Sequence, residues 1–420
     1  MMKQTEETVS NQVLGVLSGK SKENPFSVFA KMREIGPIIS IPNPLGEQSR
    51  QAWAVVHMDE AMKILKNPKQ FTVDPASIEG EKGYRDKIYD EVDSSAPDTF
   101  FTGRSMLFVD GLDHRRLRTL VSKAFTPRYM EGLRPRIQEI ADELLDKVQS
   151  QKEMDLVRDY AYPLPINVIS EMLGVPYEDR EKLQVWSSAI AKGMGWGRQD
   201  PAVAAHLQEF GEYTKNLVAQ KRNHPSDDLI SQLIAIEEEG ERLDESELIS
   251  MITLLIFAGH ETTSNLIATG SMLLFEHPEQ LQALKNDLSL VPSAVEELLR
   301  YHGPSTSVGP RFAKEDVEIA GKNIKKGDLV LVMVKAANRD EEVFLNPEEL
   351  DVKRKIDQHL AFGHGVHTCL GAPLARVEGD IAFTTLLKRF PDLRLNVPKE
   401  TIEWQFALSS QGIESLPVTF

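Results

Sequence analysis

The sequence predicts a mainly α-helical protein with a minor β contribution, built as one large domain. Segments of helical length and periodicity fill the chain from about residue 110 to residue 300. Strand-like runs are short and lie towards the two ends. No internal repeat and no low-complexity linker divides the 420 residues. We therefore expect a single domain over residues 1–420.

The individual elements follow from periodicity and length. The helix candidates are His114–Ala124, Tyr129–Ser150, Pro165–Leu173, Ala202–Arg222 and Asp227–Glu238. The strand candidates are Trp53–Val56, Val317–Ile319, Leu329–Val334 and Leu416–Phe420.

The longest helix candidate begins after Asp244, a plausible N-cap, and ends near Glu276. At 1.5 Å per residue it would be roughly 50 Å long, enough to cross a whole domain. Nine of the eleven residues from Leu248 to Ala258 are apolar. Because a helix that is apolar on all sides must be buried, we expect this one to be a central helix of the core.

Charge and hydropathy exclude several classes of protein. The chain has 48 Lys+Arg against 64 Asp+Glu, a formal charge of −16, which argues against coating nucleic acid or an anionic membrane. It shows neither a signal-peptide pattern at its start nor an apolar run of about 18 residues that could span a bilayer. We therefore expect a cytoplasmic protein without a membrane anchor.

The chain has one cysteine, Cys369, so an intramolecular disulfide and a cysteine zinc cage are both excluded. It lies between the glycine turn Gly363–Gly365 and a helix predicted over Leu370–Lys388. A thiol at a helix N-terminus should have a lowered pKa. On the residues alone a buried inert cysteine stays open beside three uses: a nucleophile with His367 as base, a zinc ligand with His364 and His367, and an axial haem ligand.

The surroundings of Cys369 narrow this choice. The run Phe362–Gly371 has the pattern F-G-x-G-x-H-x-C-x-G, which resembles the haem-binding loop of the cytochrome P450 family. Upstream, Ala258–Thr263 resembles the family's oxygen-activating motif on the central helix. Between them, Glu297 and Arg300 resemble its Glu-x-x-Arg motif, with Arg354 as the expected third partner of a structural ion-pair cluster.

The resemblance implies a single-domain cytochrome P450 fold with a helix-rich lobe and a smaller lobe that contains the strands. Haem b would lie between the central helix and the cysteine loop, with the Cys369 thiolate as axial ligand. The other implied cofactor-binding residues are His114, Arg118, Ala258, Gly259, Arg311, Phe362, His367 and Gly371. The chain departs from the family before the helical histidine, where Asp110–Asp113 reads Asp-Gly-Leu-Asp in place of an Asp-Pro-Pro-type turn.

The implied activity is that of a monooxygenase, which inserts one oxygen atom from O2 into a small to medium apolar molecule. Thr262 and Glu261 would be its catalytic residues, handling the protons that oxygen activation needs. Two alternatives share most motifs: an enzyme that couples or rearranges its substrate, and a non-catalytic haem or ligand carrier. The carrier is disfavoured because it has no use for the Glu-Thr pair.

Electrons would come from a separate ferredoxin or flavodoxin, because the chain has no room for a fused flavin domain. The segment His114–Lys123 is locally basic in an acidic protein, so we expect an acidic partner to dock there, on the cysteine side of the haem. The candidate docking residues are Arg115, Arg116 and Arg376. A monomer is expected.

Substrate contacts are the least specific of these predictions. The segment Ala76–Thr99, with seven acidic and three basic residues, is either a solvated surface loop or a lid over the site. The substrate-contact candidates are Phe100, Phe101, Met106, Leu254, Leu255, Ser305, Thr306, Val308, Leu408 and Ser409.

Overall fold

The computed structural model describes residues 8–9, 12–13, 15–16, 24–44, 50–78, 99, 104–123, 125–193, 201–235, 243–406 and 411–420. Four predicted site residues, Phe100, Phe101, Leu408 and Ser409, lie outside the described residues, as does most of the segment Ala76–Thr99.

Helices make up most of the described chain. In order they are α1 Pro25–Ile35, α2 Met58–Leu65, α3 Gly111–Ser122, α4 Pro127–Gly132, α5 Arg134–Gln149, α6 Pro163–Leu173, α7 Arg180–Gly193, α8 Pro201–Asn223, α9 Leu229–Ala235, α10 Glu245–Glu276, α11 Pro278–Asn286, α12 Val291–His302, α13 Val334–Ala337 and α14 Ala372–Arg389. A π-helical turn, Val157–Ala161, leads into α6, and short 3-10 turns occur at Pro75–Ser77, Tyr177–Asp179, Leu288–Leu290, Gly365–His367 and Lys399–Thr401.

The strands are short and form four small sheets. They are β1 Ile38–Ile41, β2 Ala52–Val55, β3 Phe71–Thr72, β4 Glu153–Asp155, β5 Arg311–Ala313, β6 Val317–Ile319, β7 Lys322–Ile324, β8 Leu329–Val332, β9 Arg394–Leu395, β10 Trp404–Phe406, β11 Gln411–Ile413 and β12 Pro417–Thr419. The largest sheet has the order β1-β2-β8-β5-β3, in which only β2 and β8 pair in parallel. The others are β4-β12-β9 and the hairpins β6-β7 and β10-β11.

Two predicted elements were wrong in extent. The single helix expected over Tyr129–Ser150 is split at Leu133 into α4 and α5, because Pro135 has no N–H to continue the first helix and sits in the first turn of the second. The strand expected over Leu329–Val334 ends at Val332, after which the chain turns into α13.

The central helix α10 has the cap and the burial that its sequence predicts. The Asp244 side chain accepts a hydrogen bond from the Glu247 N–H at 2.8 Å, and the Glu247 carboxylate accepts one from the Asp244 N–H at 3.2 Å. Every residue from Leu248 to Ile256 is buried. The helix packs against α6, α8 and α14, so its middle turns are held on several sides.

Hydrophobic packing is concentrated in one large helical core, with smaller cores on either face of the five-stranded sheet and between α12 and α14. Within the described part of the chain, no helix has the length and apolarity needed to cross a bilayer.

Candidate active site

The cysteine loop is shaped by two glycines in the left-handed region. Gly363 has a φ of +66° and Gly365 a φ of +77°, and a side chain at Gly365 would collide with the backbone carbonyl of Leu65. The loop is closed by the Cys369 N–H, which donates to the Phe362 carbonyl at 2.8 Å. It therefore presents the Cys369 side chain just before α14 begins.

The Cys369 thiol is exposed only towards an internal cavity, and protein surrounds it on the remaining sides. Burial raises the pKa of this thiol, and the N–H groups of Gly371 and Ala372 and the charge of Arg118 only partly oppose the rise. The predicted lowering of the pKa was therefore wrong, because the helix N-terminus is too weak to offset desolvation in this pocket.

This cavity, of about 320 Å³, lies between α10 and the cysteine loop. Among the predicted residues, the following line it: Met106, His114, Arg118, Leu254, Leu255, Ala258, Gly259, Thr262, Ser305, Val308, Phe362, His367, Cys369 and Gly371. Thr306 is buried and does not line it, and its carbonyl accepts a hydrogen bond from the N–H of Lys335, so its substrate contact stays a prediction. Ile169 of α6 and Phe125 also line the cavity, and no local sequence pattern marks either.

Basic side chains gather at the cavity: His114, Arg118 and His367 line it, whereas the buried Arg311 is not among the lining residues. The rings of His114 and His367 lie 4.2 Å apart between centroids. Arg118 donates to the Thr368 carbonyl at 2.6 Å, and the buried Arg311 donates to the Gly309 carbonyl at 2.8 Å. Burial lowers the pKa of His114 to about 4 and that of Arg311 to about 10.

This basic cluster fits the propionates of a haem. The buried Nε2 of His114 has no hydrogen-bond partner in the described part of the chain, which is costly unless a polar group binds there. Burial contributes most to the lowered pKa of His114, the charges of His367, Arg118 and Arg311 lower it further, and the charge of Asp110 partly opposes them. Anionic carboxylates would supply both the acceptor and the charge.

Asp110 is a site residue that the sequence reasoning noted only as a departure from the family. Its Oδ1 is 2.9 Å from Nε2 of His367, and its Oδ2 accepts from the Thr72 hydroxyl at 2.7 Å and the Val73 N–H at 2.9 Å. Burial opposes ionisation of Asp110, but the hydrogen bonds from His367, Thr72 and Val73 outweigh it and lower the pKa to about 2. Asp110 therefore fixes the orientation of His367, and Gly111, with a φ of +65°, lets the chain enter α3 immediately after it.

The middle of α10 forms the wall opposite the cysteine loop. The Thr262 hydroxyl donates to the Ala258 carbonyl at 3.1 Å, as the spacing of the two residues predicts. A Cβ on Gly259 would lie 3.0 Å from Cγ1 of Ile169, so the glycine allows α6 to approach closely. Glu261 is half-buried and is not part of the cavity wall.

Glu297, Arg300 and Arg354 meet in a buried cluster away from the cavity. Arg300 donates to Glu297 at 2.7 and 2.8 Å, and Nε of Arg354 donates to the same carboxylate at 3.2 Å. Arg300 also donates to the carbonyls of Asn338 and Pro347, both at 3.0 Å. The cluster thus ties α12 to the chain that leads into the cysteine loop.

The three arginines expected to meet a redox partner differ in their surroundings. Arg115 is exposed. Arg116 was a wrong choice for docking, because its guanidinium donates to the buried carboxylate of Glu247 at 3.0 Å and is only 21% exposed. Arg376 is more exposed but pairs with Glu296 at 2.6 Å and lies over the ring of Phe362.

Comparison with known proteins decides the family. The model of the family described as cytochrome P450 matches residues 195–415, more than half of the chain. The chain belongs to the cytochrome P450 family. It is 48% identical to cytochrome P450 CYP107DY1 of Priestia megaterium over 88% of this chain and 90% of that protein. It is 41% identical to the polyketide biosynthesis cytochrome P450 PksS of Bacillus subtilis over 94% of this chain and 96% of the relative.

Solved structures agree with the fold. The structure of PksS from Bacillus subtilis has a TM-score of 0.82 at 39% sequence identity. The match covers 94% of this chain and 96% of the PksS chain. Myxobacterial cytochrome P450 CYP267B1, solved in complex with myristic acid, has a TM-score of 0.87 at 39% identity and covers 96% of this chain and 98% of its own.

Family membership determines the chemistry of the cofactor. This P450 is a monooxygenase, an oxidoreductase that contains haem b with a cysteine thiolate as axial ligand and requires O2 and a redox partner. Its single cysteine is Cys369.

Proposed function

We propose that this P450 oxygenates a neutral, elongated apolar substrate, with Cys369 as the haem ligand and Thr262 and Glu261 as the residues that deliver protons. One observation carries the proposal: Cys369 of the cysteine loop and Thr262 of α10 line the same mostly apolar cavity. Gly371 and Phe362 flank the thiol on its own side. These residues would hold a haem in this cavity, with Cys369 as its ligand and Thr262 beside the site of oxygen chemistry.

His114, Arg118, Arg311 and His367 are the residues that would hold the haem propionates, for the reasons of charge and unsatisfied hydrogen bonding given above. When bound, the haem supplies the capacity to bind and activate dioxygen, assisted by electron density from the thiolate. The hydrogen bond between Asp110 and Nε2 of His367 fixes the orientation of the His367 ring.

The chain's own part in oxygen chemistry is to hold and move protons. The Thr262 hydroxyl donates to the Ala258 carbonyl, and its lone pairs can accept a hydrogen bond from water or from a carboxyl group. Glu261 directly precedes Thr262 in the chain. It is an acid that can deliver a proton towards the Thr262 hydroxyl through water. Leu254 and Leu255 line the cavity about two turns before Thr262 and limit the access of bulk water.

The character of the substrate follows from the cavity wall. Among the described residues, the charged side chains of the cavity wall lie near the cysteine loop or on α14. The parts of the wall formed by α10 and by Ser305–Val308 consist of aliphatic groups and hydroxyls. A free carboxylate would therefore find no cation on this side among the described residues. The relatives named for polyketide biosynthesis and for a myristic acid complex support a long, mostly apolar chain.

We also propose that a ferredoxin or flavodoxin delivers the electrons to a cytoplasmic monomer, docking near Arg115. Support comes from the exposed cation on α3 and from the path through that helix to Arg118, whose guanidinium contacts the cysteine loop at Thr368. The single cysteine suits a reducing compartment.

The axial ligand is tested by the absorption spectrum of the reduced protein under carbon monoxide. We expect the red-shifted Soret band of a thiolate-ligated haem, and we expect Cys369→His to convert it to an imidazole-type spectrum. A wild-type spectrum of the imidazole type would refute the assignment of Cys369.

The substrate class is tested by titrating the ferric Soret band with a matched pair, myristic acid and its methyl ester. The ester should bind at least several-fold more tightly, because it buries no charge. Tighter binding of the free acid would mean that a cation reaches the substrate side and would refute a neutral substrate.

A further inference from the structure

The face of α10 that points away from the cavity carries two polar residues that the haem site does not use. His260 and Ser264 are both buried, with 0% and 3% exposure. They are four residues apart and therefore share one side of the helix. Thr262 lies two residues from each, about 200° around the helix, and so faces the opposite way.

His260 is held by two short hydrogen bonds. Its Nδ1 lies 2.7 Å from the Ile256 carbonyl, which can only accept, so Nδ1 carries the proton. Nε2 is then the acceptor for the Tyr162 hydroxyl at 2.8 Å. Burial lowers the pKa of His260 to about 4, so the ring is neutral and this arrangement of donors is fixed at physiological pH.

Ser264 is bonded to the residue next to Tyr162. Its hydroxyl donates to the Ala161 carbonyl at 3.0 Å. In a continuing helix that carbonyl would accept from the N–H of residue 165, but residue 165 is a proline and has none. The π-helical turn Val157–Ala161 and the prolines that follow thus leave a buried carbonyl open, and α10 supplies the donor.

A third contact lies close by. Ile169, two turns further along α6, packs on Gly259, where a Cβ would approach to 3.0 Å. Three points of α6 and its entrance thus hold α10 from Gly259 to Ser264. This is the segment that contains Glu261 and Thr262.

We propose that Tyr162, His260 and the Ser264–Ala161 hydrogen bond form a clamp on the back of α10 that sets the position of the Thr262 hydroxyl. Tyr162 and His260 are then positioning residues for oxygen activation, although neither touches the cavity wall. The inference rests on the proposed role of Thr262. It goes beyond that role because it assigns a positioning function to residues at the entrance of a second helix, α6.

The clamp has a physical rationale, because α10 is locally weakened where Thr262 bonds back to it. The Thr262 hydroxyl bonds to its own helix at Ala258, and such back-bonding weakens and bends a helix locally. A helix weakened on one face keeps its position better when its other face is bonded to a neighbouring helix. Loss of one clamp bond leaves a buried acceptor unsatisfied, so the segment should open more often.

The experiment compares Tyr162→Phe with Tyr160→Phe in the haem-loaded protein. Both variants remove one buried hydroxyl, but that of Tyr160 donates to the Ala382 carbonyl of α14, whereas that of Tyr162 bonds to His260 of α10. Amide hydrogen exchange of residues 259–265 is the first readout and does not depend on turnover. We expect exchange on the order of tenfold faster in Tyr162→Phe and unchanged in Tyr160→Phe.

The second readout is the hydrogen peroxide released per O2 consumed, without substrate, during reduction by a bacterial ferredoxin with its reductase and NADPH. Two electrons and two protons convert O2 to peroxide, and four of each convert it to water. Misplaced proton delivery should at least double the peroxide fraction in Tyr162→Phe. His260→Gln, which retains an acceptor for Tyr162, should stay near wild type, whereas His260→Leu should not.

The outcomes separate this inference from the proposed function. If Thr262→Ala raises peroxide release while Tyr162→Phe matches Tyr160→Phe in both readouts, the clamp is refuted and the role of Thr262 stands. If Thr262→Ala has no effect on peroxide release, the proposed function itself fails. Equal behaviour of His260→Gln and His260→Leu would also refute the clamp.

Discussion

At the scale of single residues, Thr262 gives the most direct test of the oxygen chemistry. Thr262→Ala removes one of the two threonine hydroxyls that α10 brings to the cavity wall, the other being that of Thr263, without opening the helix, and it should raise peroxide release several-fold at unchanged haem content. Thr269→Ala is the control, because Thr269 makes the same back-bond, to the Asn265 carbonyl, but is not part of the cavity wall. The measurement is peroxide per NADPH oxidised. Equal peroxide yields from the two variants would remove Thr262 from the mechanism.

A second prediction at this scale concerns Glu378 of α14, which is fully buried beside the cavity. Burial raises its pKa from an ordinary value of 4.5 to about 8, with Thr263 partly opposing the rise. Between these values the folded protein holds a proton that the unfolded chain has lost, so this residue makes stability fall as pH rises.

Glu378→Gln should remove that loss, because glutamine resembles the protonated acid and does not titrate. In urea unfolding of the haem-loaded protein, the variant should differ little from wild type at pH 5 and be more stable by a few kcal/mol at pH 8. A stability difference that does not grow with pH would show that Glu378 ionises normally.

At the scale of elements, the cysteine loop depends on the backbone of Gly365. Gly365→Ala combines an unfavourable left-handed conformation with a collision against the Leu65 carbonyl on α2. We expect the variant to lose most of its haem, measured as the ratio of Soret to protein absorbance after purification. Val366→Ala alters an exposed neighbour in the same loop and should keep its haem. Full haem content in Gly365→Ala would show that the loop can adapt.

What the sequence could predict at this scale depends on whether the cause is local. The cap at Asp244, the apolar run after it and the glycines around Cys369 act within a few residues and can be read directly. The partner of His367 could not be read, because Asp110 lies 257 positions away and only the fold brings the two together. The same holds for Arg116, whose pairing with Glu247 needs α3 and α10 to be adjacent.

At the scale of the whole molecule, the net charge is −16, yet Arg115 is an exposed cation on the surface where we propose that an acidic electron donor docks. Arg115→Gln should slow reduction by an acidic ferredoxin several-fold at low salt, and the difference should vanish near 0.5 M salt. Stopped-flow reduction under carbon monoxide measures this rate. Equal rates at low salt would place the docking surface elsewhere.

Arg116→Gln is the matched comparison for that experiment, because the two arginines are neighbours on α3. Removing Arg116 leaves the buried Glu247 carboxylate without its main cation, so the expected effect is lower stability rather than slower reduction. The adjacent positions should thus separate a surface role from a structural one. The basic sequence pattern alone could not separate them.

The buried Arg300 also has a consequence for how the chain is made. Its carbonyl partners at Asn338 and Pro347, and the second guanidinium at Arg354, are synthesised roughly fifty residues after it. At a translation rate of about 5–20 residues per second, Arg300 waits several seconds beside Glu297 before its burial can be completed. The loop that contains Cys369 is synthesised after these partners, so the cysteine becomes available for cofactor capture only after the ion-pair cluster can close.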